Sequence, residues 1–96
     1  DDGKIDHGLG FEFDANANWV VEADFLIYRD DTLIHTRTLN RSAQQSGIQR
    51  MDIADTYVDT APATTTSTYE LRIAVTTATN IDSADAVNLD MNLMVF

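Results

Sequence analysis

Apolar side chains recur at every second position along most of this chain, and that spacing commits it to β-strands. Ile5, His7, Leu9, Phe11 and Phe13 alternate with Asp6, Gly8, Gly10 and Glu12. A period of two places the first set on one face of a strand. Gly8 and Gly10 weaken that strand and predict a bulge or a close neighbour. Residues 14–18 read as a polar connector. Trp19, Val21, Ala23, Phe25 and Ile27 then share one face, and Val20, Glu22, Asp24, Leu26 and Tyr28 share the other. Arg29-Asp30-Asp31-Thr32 has turn composition, so residues 33–39 are expected to close a hairpin.

The pattern persists to the end. Residues 40–47 are polar and read as a loop, and residues 48–58 as a strand that stops before Pro62. After a Thr-rich loop, Tyr69, Leu71, Ile73, Val75 and Thr77 alternate with polar or small residues. Residues 80–85 connect to a last strand with Val87, Leu89, Met91, Leu93 and Val95 on one face. No segment keeps a 3.6-residue period with caps. Six or more short strands with few or no helices predict an antiparallel β-sandwich, jelly-roll-like in shape. The 96 residues amount to one domain without cysteine, so neither disulfides nor thiolate-bound zinc can supplement a small core. The first residue is Asp1 rather than Met, as expected of a processed chain or a piece of a longer one.

Sixteen acids oppose six bases, for a net charge of −10. Phosphate binding needs a basic footprint, so nucleic acid is not the expected partner, and neither is an anionic membrane surface. No apolar run reaches the roughly 18 residues of a membrane-spanning helix.

Candidate chemistry is sparse. His7 and His35 lie in strands without a neighbouring Cys, Ser or second His, and no Gly-x-Ser-x-Gly elbow marks a nucleophile. Asp14-Ala-Asn-Ala-Asn18 begins like a calcium loop, but Trp19 and Phe25 stand where its Gly and Glu belong. Asp82 with Asp85, or Asp1, Asp2 and Asp6, supply oxygen ligands that suit Ca2+ without specifying a geometry; no cofactor is expected. Asn40-Arg41-Ser42 matches the N-glycosylation tripeptide. A carboxylate pair for glycoside hydrolysis is not readable from spacing among the acids. Trp19, the only tryptophan, reads either as core or as a sugar-stacking platform. Tyr57 and Tyr69, at strand ends, are the candidate ligand contacts.

A longer pattern is shared with a known group. Trp19 leads a long strand into the Tyr28-Arg29-Asp30-Asp31-Thr32-Leu33-Ile34 hairpin. Tyr57-Val58-Asp59-Thr60-Ala61-Pro62-Ala63 follows, and Thr68-Tyr69-Glu70-Leu71-Arg72 opens the next strand. Over residues 19–77 this resembles the small jelly-roll heads, similar in shape to tumour-necrosis-factor and C1q-like domains, of tailed-virus fibres, spikes and capsid-decorating proteins. Asp31 stands where those turns usually carry glycine. The resemblance implies a homotrimer on the virion surface, in contact with other virion proteins or a host-surface glycan, and transfers no catalytic residue. The residues agree with self-association on separate grounds. Leu26, Tyr28, Met94 and Phe96 put large apolar groups on otherwise polar strand faces, where an interface between copies would cover them. The alternative is a carbohydrate-binding module of a secreted microbial protein, for which Trp19 would have to be exposed; a hydrolase fragment is the third reading.

Overall fold

The computed structural model describes residues 2–60 and 66–95. It is all-β and antiparallel. Four strands form it: β1 (Gly3–Arg29), β2 (Thr32–Ala43), β3 (Gly47–Asp59) and β4 (Tyr69–Val95). β1 is the central strand. Along one edge, residues 19–29 pair with β2 and residues 3–15 pair with β3. Along the other edge β1 pairs with β4 over nearly its whole length.

The sheet is folded in half. An extended strand of 27 residues would run roughly 90 Å, yet the longest dimension of the molecule is 49 Å. β1 therefore turns back on itself near residues 15–19, and its odd-numbered face lies inside the fold. One layer holds residues 3–15 of β1 between β3 and the later part of β4. The other holds residues 19–29 between β2 and the earlier part of β4. The two layers make a sandwich of three strand segments each, stacked as amphipathic sheets stack. Its core joins Leu9, Phe11, Phe13, Ala15, Trp19, Val21, Ala23, Phe25, Met51 and Ile53. The Phe13 and Trp19 rings meet edge to face across the fold at 4.9 Å.

Asparagines make the corner. Asn18 and Asn80 both have positive φ (60° and 58°), which their short polar side chains tolerate better than most. Asn80 donates Nδ2 to the carbonyls of Ala17 and Asn18, and Asn16 donates to Asp82 Oδ1 at 3.1 Å. The Trp19 indole donates Nε1 to the Gln45 carbonyl at 3.0 Å, so the third crossing segment is tied in as well.

Both faces expected for β1 are observed: all five residues named from Trp19 to Ile27 are buried, as are those from Ile5 to Phe13. The 29–32 turn is a two-residue hairpin with positive φ at Asp30 and Asp31, the geometry whose twist matches a hairpin. Three expectations are corrected. The supposed connectors 14–18 and 80–85 are corners and kinks within continuous strands, because polar residues suit an outer bend as well as a loop. The loop at 40–47 shrinks, since β2 continues to Ala43 and β3 starts at Gly47. Val87 does not share a face with Met91 and Leu93. An extra residue in β4 between the Gly10–Val87 and Gly8–Asp90 pairs, with Asn88 at φ 53°, turns it outward. A Cβ on Gly10 would come within 2.9 Å of Val87 Cγ2 and 2.7 Å of Asp52 Oδ1, so glycine admits those side chains over β1. Ala61, Pro62 and Ala63 of the shared pattern lie outside the described residues.

Candidate functional site

Folding the sheet in half leaves two long sides where the layers meet solvent. They are chemically unlike. On the β2–β3 side, polar groups close the gap between layers. Arg37 of β2 pairs with Asp55 of β3 at 3.0 Å. The Asp55 carboxyl is held below its ordinary range by the Thr56 backbone N–H and then by Arg37. His35 stacks on Tyr57 at 4.4 Å, with His7 edge-on to His35 at 6.5 Å. Arg41 reaches from β2 to donate Nη1 to the Arg50 carbonyl at 3.0 Å, and Arg50 pairs with Asp52.

On the β4 side the inner face is apolar and open. Leu71, Ile73 and Ile81 are partly buried against the core. Val75, Leu89, Leu93 and Val95 are exposed, Leu89 by 64% and Val95 by 66%. Among the described residues, no hydrogen bond or ion pair links the two halves of β4 to each other. Among the described residues β4 pairs only with β1, so its other edge offers free backbone donors and acceptors.

A third feature sits at the end where Gly3, Arg29 and Asp59 come together. Asp59 is buried. It accepts from Arg29 Nη1 at 2.5 Å and from the Tyr69 hydroxyl at 2.7 Å, so one carboxylate ties β1, β3 and β4. Burial, and then this hydrogen bond, push the Tyr69 hydroxyl up to about 12. The Asp59 contact likewise raises Arg29. Sequence reasoning did not single out Asp59 or Arg29. The signal was nonetheless present: Arg29 continues the inward apolar stripe of β1 by one more step of two, and Asp59 follows Tyr57 by the same step, where a charge needs an opposite partner.

The residues singled out from sequence are placed as follows. Leu26 and Tyr28 are half-buried on the outer face of the β2 layer, and Arg72 covers the Tyr28 ring at 3.8 Å. Met94 is exposed on the outer face of the β3 layer, so it and Leu26 do not share a patch. Phe96 lies outside the described residues. Tyr57 and Tyr69 are half-buried and engaged, one stacked on His35 and one bonded to Asp59. Trp19 is 1% exposed. His7 is buried, with Nδ1 3.2 Å from the Ile5 carbonyl. Among the described residues no group of three His, Cys, Asp or Glu side chains is placed to hold a metal. Asp30, Asp31 and Glu70 do line a shallow depression with Tyr28 and Thr68, but Asp30 accepts from the Thr68 backbone N–H, and Asp31 and Glu70 both engage Arg72. Comparison with protein-family models, curated proteins and solved structures finds no match.

Proposed function

We propose that this chain is a non-catalytic head domain that assembles as a homotrimer and is displayed on the surface of a virus particle. It decorates the capsid or forms the head of a fibre or spike. Its work is adhesion or reinforcement by surface contact, with other virion proteins or a host-surface glycan as the further partner. The observation that carries self-association is the open apolar side along β4. Isolated exposed apolar residues are ordinary, but a row of them beside a free strand edge invites a partner. The virion setting rests on the resemblance over residues 19–77. The buried Trp19 supports this reading over a carbohydrate-binding module, because its ring offers no stacking face to a sugar and its N–H is committed to Gln45. Native mass spectrometry of the purified chain tests the proposal. Three chains of 10.7 kDa in one particle are expected, and a single chain under all conditions would overturn it.

A further inference from the structure

The two long sides of the sandwich match each other. Residues 32–50 carry Arg37, Arg41 and Arg50, half of the chain's basic residues, and no acid; the rest of β3 adds Asp52, Asp55 and Asp59, which pair with Arg50, Arg37 and Arg29. Residues 73–95 carry Asp82, Asp85 and Asp90, and no base. Neither Asp85 nor Asp90 has an ion pair among the described residues, and Arg41 has only a backbone carbonyl as partner. The pairing register sets the heights of these groups along the molecule. Glu12 of β1 lies between Arg50 on one side and Asp85 on the other. Arg41 reaches the carbonyl of the same Arg50, which brings its guanidinium to that level. Gly8 sets Asp90 level with Ala54, next to the Arg37–Asp55 pair. Lys4 sets exposed Met94 level with exposed Val58.

Rotation about an axis parallel to the strands moves a copy sideways without changing these heights. The β4 side of one copy then meets the β2–β3 side of the next with Asp85 opposite Arg41 and the Arg50–Asp52 pair, Asp90 opposite the Arg37–Asp55 pair, and methionine opposite valine. We infer that the open side along β4 is the docking surface for the β2–β3 side of a second copy of this chain. Asp85 faces Arg41 and Arg50, Asp90 faces Arg37, and Met94 packs on Val58. Such a contact uses two different surfaces, so it closes into a ring when the rotation divides a full turn, and three copies are the case proposed above. It would also cover the free edges of β4 and of β2–β3. The inference deepens the reading of the chain as a homo-oligomer and depends on it.

Charge reversal in solution tests the pairing. Asp85→Lys and Arg41→Glu each place like charges across every contact. Each is expected to raise the concentration for half-dissociation by about tenfold or more in low salt, measured by sedimentation equilibrium. Both substitutions in one chain restore an opposite pair, and association is expected to recover to within about threefold of the original. Both sites are exposed, and unchanged circular dichroism melts of the variants confirm that folding is intact. Wild-type assembly that is indifferent to either reversal overturns the inference and leaves the oligomer reading standing. Loss with Asp85→Lys but not Arg41→Glu would give Asp85 a partner other than Arg41 and also overturns it. A wild-type chain that never associates removes the oligomer reading itself.

Discussion

β1 and β4 are the same length, 27 residues, and both alternate apolar and polar side chains, yet they do different work. Every odd-numbered position of β1 from Ile5 to Ile27, apart from Ala17 at the corner, is buried. No described residue of β4 is buried to that degree. The cause is position in the sheet. β1 is central in both layers, so strands flank it on either edge and its inner face meets itself across the fold. β4 is an edge strand in both layers, and its inner side chains line the gap where the layers part. Alternation predicts which side chains share a face; it does not predict whether that face is covered. β1 completes the core within one chain, whereas β4 has apolar surface left for another.

The largest test of this contrast is a charge on each strand. Phe25→Asp in β1 buries an unpaired carboxylate and is expected to cost about 4 kcal/mol or more, enough to unfold a small sandwich. Val75→Asp, two register steps along in β4, is expected to change stability by less than about 1 kcal/mol in dilute solution. Urea melts followed by circular dichroism compare them, and equal losses would break the contrast.

Tyr69 ties the start of β4 to Asp59 of β3. Tyr69→Phe removes its hydrogen bond to Asp59 and is expected to cost about 1.5 kcal/mol at neutral pH. The alkaline limb carries a second signature. In the folded chain the hydroxyl titrates at about 12, raised from 10.0. Its stabilisation is therefore complete below pH 10, declines as the unfolded state ionises first, and is gone above about 12. The slope of stability against pH between those values should flatten in Tyr69→Phe, and an unchanged slope would detach Tyr69 from this role.

Gly10→Ala probes a place where β3 and β4 side chains crowd together over β1. Its Cβ would crowd Asp52, Arg50 and Val87, and since these can shift, a loss of about 1 kcal/mol is expected. A neutral or stabilising result in thermal melts would show that the closure over Gly10 is loose.

Much of this arrangement is legible in the sequence. The inward stripes of β1, the 29–32 hairpin and the strand nature of 48–58 all follow from period two and turn composition. Gly8 and Gly10 announce the bulge and the close approach that occur there. What is not legible is continuity. Asp14 to Asn18 and Asn80 to Asp85 have the composition of loops, and only pairing on both sides of β1 shows them to be bends in long strands. The outward turn of Val87 depends on a single extra residue in β4, which shifts every face assignment on one side of it. The candidate surface was visible only in pieces. Met94 stood out as an apolar residue on a polar face, but the match between Arg41, Arg50 and Asp85 depends on their common height beside Glu12. Height is a property of register, and register is set by the fold.

Met94→Asp is expected to have the smallest effect on the fold, within about 0.5 kcal/mol by dilute-solution melts, while weakening association. A loss of folding as large as that of Phe25→Asp would place Met94 in the monomer core instead.

Methionine oxidation by peroxide, read by mass spectrometry over a dilution series, tests the central contrast most directly. Within one chain Met51 is 2% exposed and Met94 is 58% exposed. If the β4 side is covered by a neighbouring copy, Met94 oxidises nearly as slowly as Met51 in concentrated solution and accelerates on dilution, while Met51 stays slow. Rapid oxidation of Met94 at every concentration, with Met51 protected throughout, would contradict the claim that the β4 side docks a second copy.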